Sequence, residues 1–217
     1  VLIACRIVAG NGIGCNLAPE VLRGAYEGVM TRLFRLSLLP LCAALVACSS
    51  MSSSKIPPLK TVPQVDLKRY MGDWYVYAHI PYSLERGKVG TMDRYAMRED
   101  GRMDNIFLFR QGSLKAPLKQ WNGVAWVHDK NTNAEWRVQF IWPLRVPYLI
   151  IDLDKDYQWS VIGYPNRKLA WVLSRKPEMD AATYQGILER MRAQGYDTAR
   201  LAKVPQLAEG AEIISSN

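Results

Sequence analysis

The run Ala134-Glu135-Trp136-Arg137-Val138-Gln139-Phe140-Ile141-Trp142, with Trp121-Asn122-Gly123-Val124-Ala125-Trp126-Val127 ahead of it, decides the fold. Trp136, Val138, Phe140 and Trp142 alternate with Glu135, Arg137 and Gln139, a period of two that sends successive side chains to opposite faces of a strand. Between the two runs, Lys130-Asn131-Thr132-Asn133 is turn chemistry. An antiparallel hairpin about that turn opposes Val127 to Trp136, Ala125 to Val138, Gly123 to Phe140 and Trp121 to Trp142, and opposed residues share a face. The charged alternates belong to solvent, so the tryptophan face points inward.

The same alternation extends both ways along the chain. It predicts strands over 71–80, 89–98, 103–110, 120–128, 134–142, 148–154, 157–163 and 169–176, separated by turn formers such as Asp100-Gly101, Lys155-Asp156 and Pro165-Asn166-Arg167-Lys168. A turn centred on Asp100 pairs Tyr95 with Asn105, Asp93 with Phe107 and Thr91 with Phe109. Leu149-Ile150-Ile151, Val161-Ile162 and Trp171-Val172-Leu173 are apolar on both faces, which calls for a cover outside the sheet. The cover follows in sequence: after Pro177, Asp180 caps a helix with Tyr184, Ile187, Leu188 and Met191 at i, i+3, i+4 and i+7, and Gly195 ends it. Consecutive hairpins and one late helix predict an all-β protein, an eight-stranded antiparallel up-and-down β-barrel with one C-terminal α-helix packed outside.

Composition narrows the function. At 217 residues, 49% hydrophobic and 10% aromatic, the chain is long enough for one ordinary domain and too apolar for disorder. Residues 1–47 hold four arginines against two glutamates, and the rest of the +8 net charge is scattered. No Arg/Lys cluster interleaved with aromatics marks a nucleic-acid partner. Cys5, Cys15, Cys42 and Cys48 all fall in the first quarter, so neither a disulfide scaffold nor a cysteine zinc site holds the body together. The expectation is no nucleic acid, no metal and no cofactor.

No residue is assigned a catalytic role. His79 and His128 sit on different strands, without HExxH or Gly-x-Ser-x-Gly context, and read as surface or strand-end residues. Asp152, Asp154 and Asp156 lack the glycine and glutamate of a calcium loop and read as solvated turn acids.

From Met30 the sequence Met-Thr-Arg-Leu-Phe-Arg leads into the mostly apolar residues 36–46 and then Ala47-Cys48-Ser49-Ser50. A basic head, a short apolar run and a small-residue boundary make a secretory signal, too short to span a membrane. Leu45-Val46-Ala47-Cys48 resembles the lipobox of bacterial lipoproteins, which implies a diacylglyceryl thioether on Cys48, cleavage before it and acylation of the new amine. Ser49 after the cysteine implies, by the enterobacterial sorting rule, an outer-membrane anchor with the barrel in the periplasm. The resulting domain reading is 1–29 an upstream extension, 30–47 signal peptide, 48–63 acylated N-terminus and flexible serine-rich tether, 64–206 barrel with helix, and 207–217 tail.

Gly72-Asp73-Trp74-Tyr75 opens the first strand after Asp66-Leu67-Lys68-Arg69-Tyr70, Asp156-Tyr157 precedes the seventh, and Leu173-Ser174-Arg175 closes the eighth. Together with Tyr196-Asp197-Thr198 and the lipobox, this set resembles the lipocalin family, in its bacterial outer-membrane lipoprotein form, over roughly residues 64–206. The resemblance implies that these segments meet at a closed end of the barrel, where Gly72 begins the strand, Trp74 plugs the end and Arg175 packs across its indole. Only the second half of the family's Thr-Asp-Tyr pattern is present.

The resemblance also implies a ligand, a fatty acid or (lyso)phospholipid, and a role in lipid storage, transport or envelope maintenance. Register then assigns the lumen to Val76, Ala78, Thr91, Asp93, Tyr95, Asn105, Phe107, Phe109, Val138, Phe140, Trp171 and Leu173, with Arg86 and Lys88 as head-group candidates at the mouth. About fifteen buried methylenes at roughly 0.8 kcal/mol each contribute about 12 kcal/mol gross, and association costs reduce this to micromolar binding. Two other classes remain open on sequence alone. One is an envelope lipoprotein with a filled barrel that docks a partner; the other is a lipid-modifying enzyme using Asp93 and Tyr95 as acid and base.

Overall fold

The structure, a computed structural model, describes residues 56–208. The chain enters the barrel through α1 (Leu67–Tyr70), where the Asp66 carboxylate accepts from the N–H groups of Lys68 and Arg69. Gly72, at φ +94°, turns it into β1 (Gly72–His79), a backbone conformation that side-chain-bearing residues rarely adopt. A 3-10 turn at Ser83–Glu85 leads to β2 (Lys88–Met97). Then come β3 (Met103–Gln111), β4 (Leu118–Val127), β5 (Glu135–Gln139), β6 (Val146–Leu153), β7 (Trp159–Gly163) and β8 (Ala170–Ser174). Each strand pairs antiparallel with the next, and β1 pairs with both β2 and β8, closing the eight-stranded barrel that the alternation predicts.

The late helix, α2 (Ala181–Ala193), forms as its sequence dictates. Asp180 Oδ1 accepts from the Thr183 N–H at 2.8 Å, and Tyr184, Ile187, Leu188 and Met191 are its buried residues. They pack on Leu149, Ile151, Val161 and Val172, which explains why those strands are apolar on both faces. After α2, β9 (Ala202–Lys203) pairs with the end of β1. Past it the chain spans the gap where β1 and β2 cease to pair: Gln206 Nε2 donates to Val76 O (2.9 Å) and Thr91 O (3.1 Å), and the Gly90 N–H donates to Pro205 O.

Departures from strict alternation at β1, β2 and β5 bear on the predicted lumen residues, and a further register shift lies in β6 between Ile150 and Asp152. In β1 a shift between Val76 and Ala78 puts both Tyr77 and Ala78 on the outer side with the helix, so Ala78 does not line the lumen and His79 turns inward. In β2 a shift between Val89 and Met92 removes the Thr91–Phe109 pair, while Tyr95–Asn105 and Asp93–Phe107 form as read. Such bulges insert one residue and re-aim those that follow. β5 stops at Gln139, because a turn with Pro143, which has no N–H to donate, follows directly. The Gly123–Phe140 and Trp121–Trp142 pairs are therefore absent, and Trp142 is 84% exposed.

The expected tether is laid against the barrel from Pro57 onward. Arg167 donates to Pro57 O, the Lys60 N–H to Gln194 Oε1 at 2.9 Å and the Val62 N–H to Ile150 O at 2.9 Å. Cys48, the signal segment and the end of the tail lie outside the described residues.

Candidate ligand site in the barrel interior

One end of the barrel is built shut. Trp74 is fully buried and its Nε1 donates to Tyr70 O at 2.7 Å. The Arg175 guanidinium carbon lies 3.7 Å from the Trp74 ring centroid. Its Nη1 donates to Asp73 O and its Nη2 to the carbonyls of Arg69, Tyr70 and Met71, the acceptors that the short helix α1 leaves unpaired at its end. Tyr157 joins them: its hydroxyl accepts from the Asp66 N–H at 2.8 Å, and Arg69 stacks over its ring at 4.1 Å.

Above that plug lies a layer of hydroxyls. Tyr70 Oη contacts Tyr148 Oη at 3.2 Å and Ser160 Oγ at 3.0 Å, and Tyr95 Oη contacts Tyr148 Oη at 2.9 Å. Trp136 stacks on Tyr148 at 5.2 Å. Burial pushes the Tyr70, Tyr95 and Tyr148 hydroxyls up, so all three keep their protons.

Higher still the interior turns acidic. Asp93, opposite Trp74 on β1 and Phe107 on β3, is half-buried while those neighbours keep almost no accessible surface. Burial, then the charge of Glu85, pushes it up to about 8, against a lowering hydrogen bond from Tyr95. Asn105, beside Tyr95, is 2% exposed and its Oδ1 has no partner.

The β1 bulge supplies what the sequence reading placed at the surface. His79 is 9% exposed and its Nδ1 lies 2.6 Å from Glu85 Oε2. Glu85, brought in by the 3-10 turn, also accepts from Tyr82 Oη at 3.1 Å and from Trp171 Nε1 at 3.1 and 3.2 Å. Nothing in the sequence marks Glu85 or Tyr82 as interior, since both stand in a loop without periodicity.

Val76, Tyr95, Phe107, Phe109, Val138 and Leu173 lie in the inner cluster, and Trp171 packs against it. Thr91 is buried at its bulge. Phe140 stands past the end of β5, 37% exposed, with its ring where a Gly123 Cβ would lie 2.8 Å away. Because Trp74 opens β1, the loops at 80–87, 112–117, 140–145 and 164–169 share the opposite end. Leu84, Trp121, Phe140, Ile141, Trp142, Leu144 and Val146 are exposed there. Lys88 sits at that rim, its Nζ donating to Leu84 O and lying 4.7 Å from the Phe109 ring and 4.4 Å from the Trp121 ring; Arg86 is exposed. Elsewhere, Asp152 pairs with Arg190 at 2.6 Å, and no group of three or more potential metal ligands occurs among the described residues.

Residues 65–206 match the family model described as a lipocalin-like domain. The outer membrane lipoprotein Blc of Vibrio cholerae is 30% identical over 176 residues, covering 79% of this chain and 99% of its own. Blc of Escherichia coli K12 is 32% identical over 177 residues, covering 78% and 97%. Among solved structures, insecticyanin from the tobacco hornworm superposes with a TM-score of 0.55 at 16% identity, covering 71% of this chain and 87% of that one, a likeness of fold.

Proposed function

The chain belongs to the lipocalin family, and from that premise we propose that it is a lipid-anchored envelope protein that holds the acyl chain of a fatty acid or (lyso)phospholipid in its barrel, mouth toward the membrane. One observation carries the reading. The end away from Trp74 bears the exposed apolar rim, and the described chain begins at that same end, where Pro57 meets Arg167 of the 164–169 loop.

Seven residues lie between Cys48 and Ile56, a reach of at most about 30 Å when extended. An acyl anchor on Cys48 would therefore hold the mouth near the bilayer, where Trp142 and Leu144 have apolar surface to bury and Arg145 meets anionic head groups. A lipid could then pass between bilayer and barrel without crossing water. The relatives named outer membrane lipoproteins support the location.

Two measurements test the reading together. Cys48→Ser should abolish palmitate labelling, and mass spectrometry of the wild-type chain purified without added lipid should find a single-chain or two-chain lipid in stoichiometric amount. Continued labelling of the variant would remove the anchor from the proposal; a preparation free of lipid that takes up none on titration would remove the ligand.

A further inference from the structure

The loop between β1 and β2 buries its acid and exposes its leucine. Residues 81–87 are exposed apart from half-buried Tyr82 and from Glu85, which is 7% exposed, while Leu84 beside it is 54% exposed. That inverts what solvation alone dictates, so donors in the barrel wall must hold the carboxylate there.

Three donors do so. His79 Nδ1 lies 2.6 Å from Glu85 Oε2, Trp171 Nε1 donates to both carboxylate oxygens at 3.1 and 3.2 Å, and Tyr82 Oη donates to Oε1 at 3.1 Å. Their attachment divides them. His79, at the end of β1, and Trp171, near the start of β8, are register partners in the wall at the mouth, whereas Tyr82 belongs to the loop that carries Glu85. Among the described residues Glu85 is the one hydrogen-bond partner of both ring side chains. Movement of the loop would leave two fixed donors without an acceptor, a costly state for buried N–H groups. Arg86 and Lys88 do not converge on this point: Arg86 is exposed, and Lys88 Nζ donates to Leu84 O and lies over the Phe109 and Trp121 rings.

We infer that Glu85 is an internal stand-in for the head of the ligand: His79 Nδ1 and Trp171 Nε1 form a carboxylate subsite at the mouth, closed by the 81–87 loop until the carboxylate of a fatty acid displaces Glu85. The inference rests on the reading that the interior takes an acyl chain, and it moves the anionic head from Arg86 and Lys88 to the barrel wall. A fatty acid brings the same two oxygens and the same charge, so the exchange leaves the donors satisfied and the charge of the site unchanged. Asp93, pushed up to about 8 by burial and then by Glu85, holds its proton at neutral pH and does not oppose the incoming carboxylate.

The test uses the full chain carrying Cys48→Ser, titrated calorimetrically at neutral pH with dodecanoate and with dodecanol, which has the same chain and no charge. A tethered carboxylate competes at high effective concentration, so Glu85→Ala should raise dodecanoate affinity relative to dodecanol at least tenfold. Glu85→Gln, which keeps the bulk of the side chain and gives up its charge, should raise the same ratio about threefold, and it serves where circular dichroism finds the alanine variant unfolded. Adding Trp171→Phe, which deletes one fixed donor, should cancel most of that gain. A ratio unmoved by the Glu85 variants, including a rise shared equally by both probes, would overturn the subsite and leave the lumen reading standing. Binding of neither probe by any of these chains would remove the lumen reading itself.

Discussion

Asp93 should make the barrel less stable as pH rises, and Asp93→Asn should remove that dependence. The carboxyl stands near 3.8 in an unfolded chain and is pushed up to about 8 in the fold, first by burial and then by Glu85. Between those values the folded state holds a proton that the unfolded state has released, so stability is fully present below about pH 4 and declines until about pH 8. Four units of separation at 1.36 kcal/mol each set a ceiling of about 6 kcal/mol. Asp93 is half-buried and not sealed, so solvent screens part of the charge and brings the effect to roughly 2–3 kcal/mol. Urea unfolding of the wild type and Asp93→Asn at about pH 4.5 and about pH 9 measures it. The two should coincide in acid, and the variant should be more stable by that amount in base. A difference that does not change with pH, or a variant weaker at the higher value, would refute the placement of Asp93 in a desolvated interior.

Trp74→Ala removes a fully buried indole and should cost about 3–5 kcal/mol in urea unfolding. Arg175→Ala should cost less, about 2 kcal/mol, and Arg175→Lys should recover under half of it, because one ammonium cannot serve the carbonyls of Asp73, Arg69 and Met71 while covering the ring. Gly163→Ala should cost about 1–3 kcal/mol, since its Cβ would lie 2.9 Å from Leu59 Cδ1 and from Tyr196 Oη; a neutral result in thermal melts would mean that residues 57–62 do not pack there. Val138→Trp should weaken dodecanol binding at least tenfold while leaving the far-UV circular dichroism unchanged. Trp142→Ser with Leu144→Ser should reduce binding of the chain to vesicles containing phosphatidylglycerol at least fivefold, with unfolding midpoints unchanged, since both side chains are exposed.

What was legible in the sequence was whatever periodicity controls. Closure of the barrel follows from alternation plus hairpin spacing, and the helix from Asp180, Gly195 and a four-residue apolar stripe, so both stand where the pattern places them. Bulges carry no such signal, because one inserted residue leaves composition untouched and inverts the faces beyond it. Ala78 and His79 show the consequence: by parity from Trp74 the alanine belongs inside and the histidine outside, and the shift after Val76 exchanges them. That exchange is what makes the upper interior polar, since inward His79 gives Glu85 a partner and lets a loop carboxylate enter the barrel. Glu85 in turn raises Asp93. A one-residue irregularity in the first strand thus adds, through Glu85, to what burial already does to a carboxyl on the second, and the polarity of the upper interior depends on a feature that alternation conceals.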